Sequence, residues 1–182
     1  MEMSSSFRNK SKMVWLILIF NGIAFVMLML AGGSTDPDVL IRFGALSSNL
    51  ISEGQYWRLL TCIFLHANLM HLGVNAFSLF IFGPTAEIFF GRIKFLLIYL
   101  IAGIGGSATS YVFIDPRSIG VGASGAVFGV LGSIAVYYYL NNHKYGKYGR
   151  GMMAGIGVIV LLNLGFGFTV NGVDNWAHIG GL

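Results

Sequence analysis

Residues 66–90 read HANLMHLGVNAFSLFIFGPTAEIFF, and the fold turns on where in this stretch a helix begins. An apolar run extends back to about Leu59, which makes a block from Leu59 to Phe90 too long for one crossing of a hydrocarbon core about 30 Å thick. Asn68 is a residue type that accepts backbone N–H bonds at a helix start. A helix opening there gives Leu69 to Phe90, 22 residues, the length a bilayer requires. It also places two polar residues shallowly, His71 at about 4–5 Å and Asn75 at about 10 Å along the axis. A start at Arg58 would instead bury His71 about 20 Å deep. The pair is spaced i,i+4 and shares a face, whereas His66 and His71, read on one helix, would point about 140° apart.

Outward from this block the chain keeps the same character. Of its 182 residues 55% are hydrophobic and 10% charged, with 26 Gly, 15 Phe and a mean hydropathy of +0.75. Soluble domains sit near 45–50% apolar and about 25% charged. The composition excludes an ordinary cytosolic domain, a disordered chain and a nucleic-acid binder. One cysteine, Cys62, excludes a disulfide framework or a cysteine-based zinc site. The expectation is an all-α, polytopic membrane protein.

Further spans are expected at Met13–Ala31, Phe95–Phe113, about Val121–Leu140 and about Met152–Phe168. The first is longer than the apolar core of a signal peptide and is read as a retained anchor. A sixth opens near Asp174 and reaches Leu182 after fewer than ten residues, so it is expected to be a truncated helix. Arg8, Lys10, Lys12, Arg92, Lys94, Lys144, Lys147 and Arg150 fall on one side of these spans, against Arg42, Arg58 and Arg117 on the other. Eight against three puts the N-terminus in the cytoplasm. Trp15 and Tyr137–Tyr139 then mark inner boundaries, Trp57 and Trp176 outer ones. The long connection from Gly32 to about Ala67 carries turn signals at Ser34-Thr35-Asp36-Pro37-Asp38 and an aromatic run ending Tyr56-Trp57-Arg58. It suits a segment lying in the outer interface.

Polar residues inside spans are expensive and point to function. Ser124, four residues beyond Gly120, and His178, four beyond Asp174, come out at one depth, about 6 Å below the outer rim. A serine hydroxyl becomes a nucleophile when a base takes its proton, and histidine is the usual base. Ser124 sits in Gly122-Ala123-Ser124-Gly125 near a helix N-terminus, where unpaired N–H groups favour an oxyanion. His71 and Asn75 can add donors. Gly122, Gly125, Gly129 and Gly132 recur along one side of the span, and Gly180-Gly181 follow His178, so two backbones can approach closely.

Structural readings stand beside the catalytic one. A glycine-rich span packs helices, a lone serine bonds its own backbone, and a lone histidine or asparagine bridges helices. Asp174 reads as an N-cap rather than a triad member. Asn21, Asn163 and Glu87 read as structural, with Glu87 pairing to Arg92, and His143 as solvated. Cys62 lacks a fixed basic partner. His66, His71 and His178 share their level with no carboxylate, which is poor for a metal. A transporter would need charged or matched broken helices, which are not evident.

In series, His66-Ala67-Asn68-Leu69-Met70-His71-Leu72-Gly73-Val74-Asn75, Gly122-Ala123-Ser124-Gly125 and Ala177-His178-Ile179-Gly180-Gly181 resemble the rhomboid family of intramembrane serine proteases. Trp57-Arg58 resembles the family's pair in its first external loop. The resemblance implies a six-transmembrane-helix core over residues 13–182, C-terminally incomplete, behind a cytoplasmic tail of residues 1–12. It implies a Ser124–His178 dyad without an acidic third member, and an oxyanion hole of His71, Asn75 and the Ser124 N–H. His66 and Gly122 would line the site. Substrates would be transmembrane segments of membrane proteins, cut near the extracytoplasmic face, with lipid as the surroundings and no metal or cofactor. Glu87 matches an acidic family position, but Phe89 stands where arginine is common. The alternative within the same resemblance is a non-catalytic rhomboid-like protein that binds membrane helices.

Overall fold

The computed structural model describes residues 11–170 and 172–182. Arg8, Lys10 and the rest of the tail up to residue 10 lie outside the described residues. Helix α1, Lys12–Leu30, is apolar around its circumference, and its N-terminal donors are met from another helix. Met13 and Val14 donate their N–H groups to the two carboxylate oxygens of Glu87, at 3.1 and 3.0 Å. Glu87 also lies 3.8 Å from Arg92 Nε. The expected ion pair is present, and the same carboxylate caps a helix it does not belong to.

The long connection after α1 is ordered by short helices and one buried cation. Asp36 caps α2, Pro37–Arg42, accepting from Asp38 and Val39 N–H, with proline in the first turn. Then come β1, Leu46–Ser47, α3, Ser48–Ser52, α4, Arg58–Thr61, and a 3₁₀ turn, Cys62–Phe64. Arg58 is buried beneath them. Its guanidinium donates to the carbonyls of Ile41 (2.7 Å) and Ala45 (3.0 Å) and to Gln55 Oε1 (2.8 Å), and stacks 4.6 Å from the Trp57 ring. A planar fork suits three acceptors at once.

Helix α5 is Leu69–Phe90, with the Asn68 side chain accepting the His71 N–H at 2.8 Å. The helix starts where the N-cap argument puts it. Gly91, at φ 76°, reverses the chain into α6, Arg92–Phe113. The third span therefore opens three residues earlier than Phe95. Helix α7, Ser124–Leu140, has 17 residues and starts later than expected, because Val121–Ala123 are not helical. Its residues Gly125–Leu131 are all buried, which makes it the central helix. Helix α8, Asn142–Thr169, bends at Gly146 (φ 52°, ψ −126°). Lys144, Lys147 and Arg150 thus sit on helical turns flanking a bend rather than in a loop. A final short helix, α9, Asn175–Gly181, is capped by Asp174.

Among the described residues, α1, α5, α6 and α8 are long and apolar enough to cross a membrane, and α7 is a shorter apolar helix. Helix α7 packs against α5, α6, α8 and α9. The loop before α7 carries β2, Ile119–Gly120, which pairs antiparallel with β1 in the register Leu46↔Gly120 and Ser47↔Ile119. The Gly122 N–H then donates to the Cys62 carbonyl at 3.0 Å. These contacts clip the start of α7 to the long connection.

Candidate active site

Three chain segments meet where α7 begins. Ser124 is its first helical residue and is half-buried. Ala123 supplies no side-chain cap, so the first-turn N–H groups have no partner from within the helix or from a capping side chain. Ser124 lies at the N-terminal mouth of the helix, rather than one turn inside it as depth counted from Gly120 suggests.

Just before it, Gly122 has φ 133°. A Cβ there would stand 2.6 Å from His71 Cε1 and 2.7 Å from His71 Nε2, so only glycine admits both the backbone angle and the imidazole. His71 is thereby pressed against the loop two residues ahead of Ser124. His66, fully buried, faces His71 edge-on with ring centroids 5.1 Å apart. The offset that would point these rings apart does not apply, because His66 precedes the helix. Burial and the neighbouring His71 push the His66 imidazole down to about 3, so it is a neutral wall of the site. Neither of its ring nitrogens is hydrogen-bonded among the described residues.

Asn75 is buried one turn below His71, and its amide donates to the His71 carbonyl at 2.9 Å. One of its N–H bonds is thus engaged by its own helix.

A third imidazole arrives from α9. The glycines of α7 face that helix as their spacing implies. A Cβ on Gly125 would meet the Ala177 carbonyl oxygen at 2.9 Å, one on Gly129 the Gly181 oxygen at 2.7 Å, and one on Gly132 the Leu182 oxygen at 2.8 Å. Gly106 of α6 closes on the Ala177 oxygen from the other side, at 2.5 Å from a virtual Cβ. So wedged, α9 lays the buried His178 ring flat on Phe128, centroids 4.3 Å apart and planes within 6°. Phe128 is one turn beyond Ser124 on the same face. His178 Nδ1 is buried and has no hydrogen-bond partner among the described residues. Asp174 is occupied elsewhere, accepting the Ala177 N–H at 3.0 Å and the Ser110 hydroxyl.

Sequence reading passed over Phe128 and Ser110. Phe128 carried a usable signal, its i+4 spacing from Ser124. Ser110 carried none, since a serine in an apolar helix most often bonds its own backbone. Cys62 is buried with its Sγ 3.1 Å from Ser107 Oγ, and burial pushes the thiol up to about 11. It is a protonated packing group. Among the described residues, no three of His, Cys, Asp or Glu converge as metal donors.

Residues 53–182 match the Rhomboid domain family. The chain is 44% identical over 173 residues to the rhomboid protease GluP of Bacillus subtilis, covering 95% of this chain and 33% of the relative. It is 42% identical over 148 residues to the mitochondrial RHOMBOID-like protein 6 of Arabidopsis thaliana, covering 81% and 47%. Rhomboid-like protease 1 of Toxoplasma gondii is 37% identical over 147 residues, covering 80% and 50%. The chain thus spans a third to a half of these relatives' lengths. Its apolar helices make it an integral, multi-pass membrane protein, and with the match across 53–182 the chain belongs to the rhomboid family.

Proposed function

We propose that residues 13–182 form the core of an intramembrane serine endopeptidase that cleaves transmembrane segments of membrane proteins. Ser124 is its nucleophile and His178 its general base and acid. The Ser124 oxygen attacks the scissile carbonyl as His178 takes the hydroxyl proton. The tetrahedral oxyanion is met by the Ser124 N–H and by donors from His71 and Asn75, each worth about 3–4 kcal/mol in the transition state. On collapse the amine leaves with the proton from His178, and water, activated by the same imidazole, releases the acyl group. Asn75 takes part with the amide hydrogen not bonded to the His71 carbonyl, or by exchanging that bond. His66 and Gly122 shape the wall on which His71 rests. The chemistry draws on no metal or cofactor.

The observation that carries this reading is the placement of the His178 imidazole on Phe128, one turn along α7 from Ser124, with its Nδ1 hydrogen-bonded to no carboxylate among the described residues. That suits a dyad in which stacking, rather than an acid, holds the base. The reading extends to a six-helix core in which α9 opens the sixth helix. It places the N-terminal tail of residues 1–12 in the cytoplasm, as the Lys and Arg distribution supports, and the site toward the extracytoplasmic face. Cleavage of a reporter transmembrane substrate by the full-length protein in lipid tests it. Ser124→Ala is expected to abolish cleavage; retained cleavage removes Ser124 from the role.

A further inference from the structure

Glycines on α6 and α7 let α9 approach, but a smooth glycine surface sets no register. Gly106, Gly125 and Gly129 back onto carbonyl oxygens of α9, and Gly132 onto that of Leu182 just beyond it, contacts that bring the helices close without a directional bond. The catalytic geometry nevertheless demands a register, because the His178 Nδ1 has no hydrogen-bond partner among the described residues to orient the ring. What fixes α9 has to be directional, and two hydrogen bonds hold its first turn: the Asn175 amide donates to the Leu164 carbonyl of α8 at 3.0 Å, and the N-cap of α9 is tied to α6. The buried Ser110 hydroxyl donates to one carboxylate oxygen of Asp174, whose other oxygen caps α9 through the Ala177 N–H. The Asp174 carbonyl accepts the His178 N–H at 3.3 Å. The hydroxyl of the adjacent Thr109 is engaged with the Gly105 carbonyl of its own helix, at 2.9 Å.

We propose that Ser110 and Asp174 are a positioning pair that sets the register of α9, and through it the place of the His178 imidazole over Phe128. The inference rests on the proteolytic reading above and adds to it two residues that never touch substrate. Deleting either partner leaves the glycine packing and the Asn175–Leu164 bond intact but loosens the N-cap of α9 on its α6 side, enough to shift His178 by a fraction of an ångström. Displacements of about 1 Å in a catalytic group cost up to about a hundredfold in rate, while substrate binding elsewhere is untouched.

The test is steady-state cleavage of a reporter transmembrane substrate by the full-length protein, expressed per folded molecule by size-exclusion recovery. The variants are Ser110→Ala, Asp174→Ala, the double variant, Asp174→Asn and, as control, Ser124→Ala. Ser110→Ala and Asp174→Ala are each expected to lower kcat about tenfold or more, with KM within about twofold. The double variant should be no slower than the slower single, since both remove one contact. Asp174→Asn, which still caps the helix and can accept the Ser110 proton or donate to its oxygen, should recover most of the rate. Multiplying losses in the double variant, an effect carried by KM, or a rate per folded molecule equal to wild type would overturn the pair's role. An active Ser124→Ala would instead bring down the proteolytic reading itself.

Discussion

The imidazole of His178 and the ring of Phe128 lie in parallel contact, centroids 4.3 Å apart and planes 6° from coplanar, so the proposed base is seated on the helix that carries the proposed nucleophile. An aromatic platform restricts rotation of the imidazole without supplying a hydrogen bond or a charge, and Nδ1 has no hydrogen-bond partner among the described residues. Phe128→Leu keeps most of the buried apolar volume and removes the platform. It should lower kcat about ten- to a hundredfold with KM little changed, whereas Phe128→Tyr should keep most of the activity. Steady-state kinetics on a reporter substrate reads both.

Gly125 and Gly155 offer a contrast between two glycines in apolar helices. A Cβ on Gly125 meets the Ala177 carbonyl oxygen at 2.9 Å, while one on Gly155 meets nothing within 4 Å. Gly125→Ala should push α9 off α7 and cut cleavage by about a hundredfold. Gly155→Ala should leave cleavage within twofold and raise helix stability by about 0.5–1 kcal/mol, seen as a small rise in melting temperature.

At the opposite end of α5, the buried Glu87 carboxylate holds the first N–H groups of α1. Hydrogen bonds to a charged group contribute about 1.5–3 kcal/mol each. Glu87→Ala should therefore lower the melting temperature and loosen the start of α1, detectable as faster amide exchange at Met13 and Val14. Cleavage per folded molecule should not change, because the site lies at the other end of α5.

His66 makes stability depend on pH. Its folded-state value is pushed down to about 3 by burial and by His71, below the ordinary 6.5. Between those values the unfolded chain binds the proton and the folded one does not, so stability is full above about pH 6.5 and declines as the pH falls toward 3. Melting temperatures measured across that interval should fall with acidification, and His66→Gln should fall less steeply.

Much of this was readable because a few residue types have narrow uses. Asn68 before an apolar run fixed the start of α5 and with it the shallow level of His71, since few side chains cap a helix as well. Gly125, Gly129 and Gly132 announced a close helix contact for the same reason: only a missing Cβ allows backbone approach. Other features stayed hidden for physical reasons. Residues 125–131 of α7 are all buried, so the apolar pattern there has no face, and only its i+4 spacing from Ser124 set Phe128 apart from Val127 or Leu131. The bend at Gly146 lies in a stretch with several other glycines, and Lys144, Lys147 and Arg150 read equally well as loop. Phe89, standing where the family resemblance suggests arginine, stacks on Tyr137 at 3.9 Å, a replacement of charge by aromatic packing that only three-dimensional proximity reveals.

The most direct test is covalent. A serine-reactive fluorophosphonate, applied to the full-length protein in lipid and located by peptide mass spectrometry, should modify Ser124, and the modification should vanish in His178→Ala while that variant remains folded. Unchanged labelling of Ser124 in His178→Ala would contradict a base–nucleophile pair, as would reaction at some other residue in the wild-type protein.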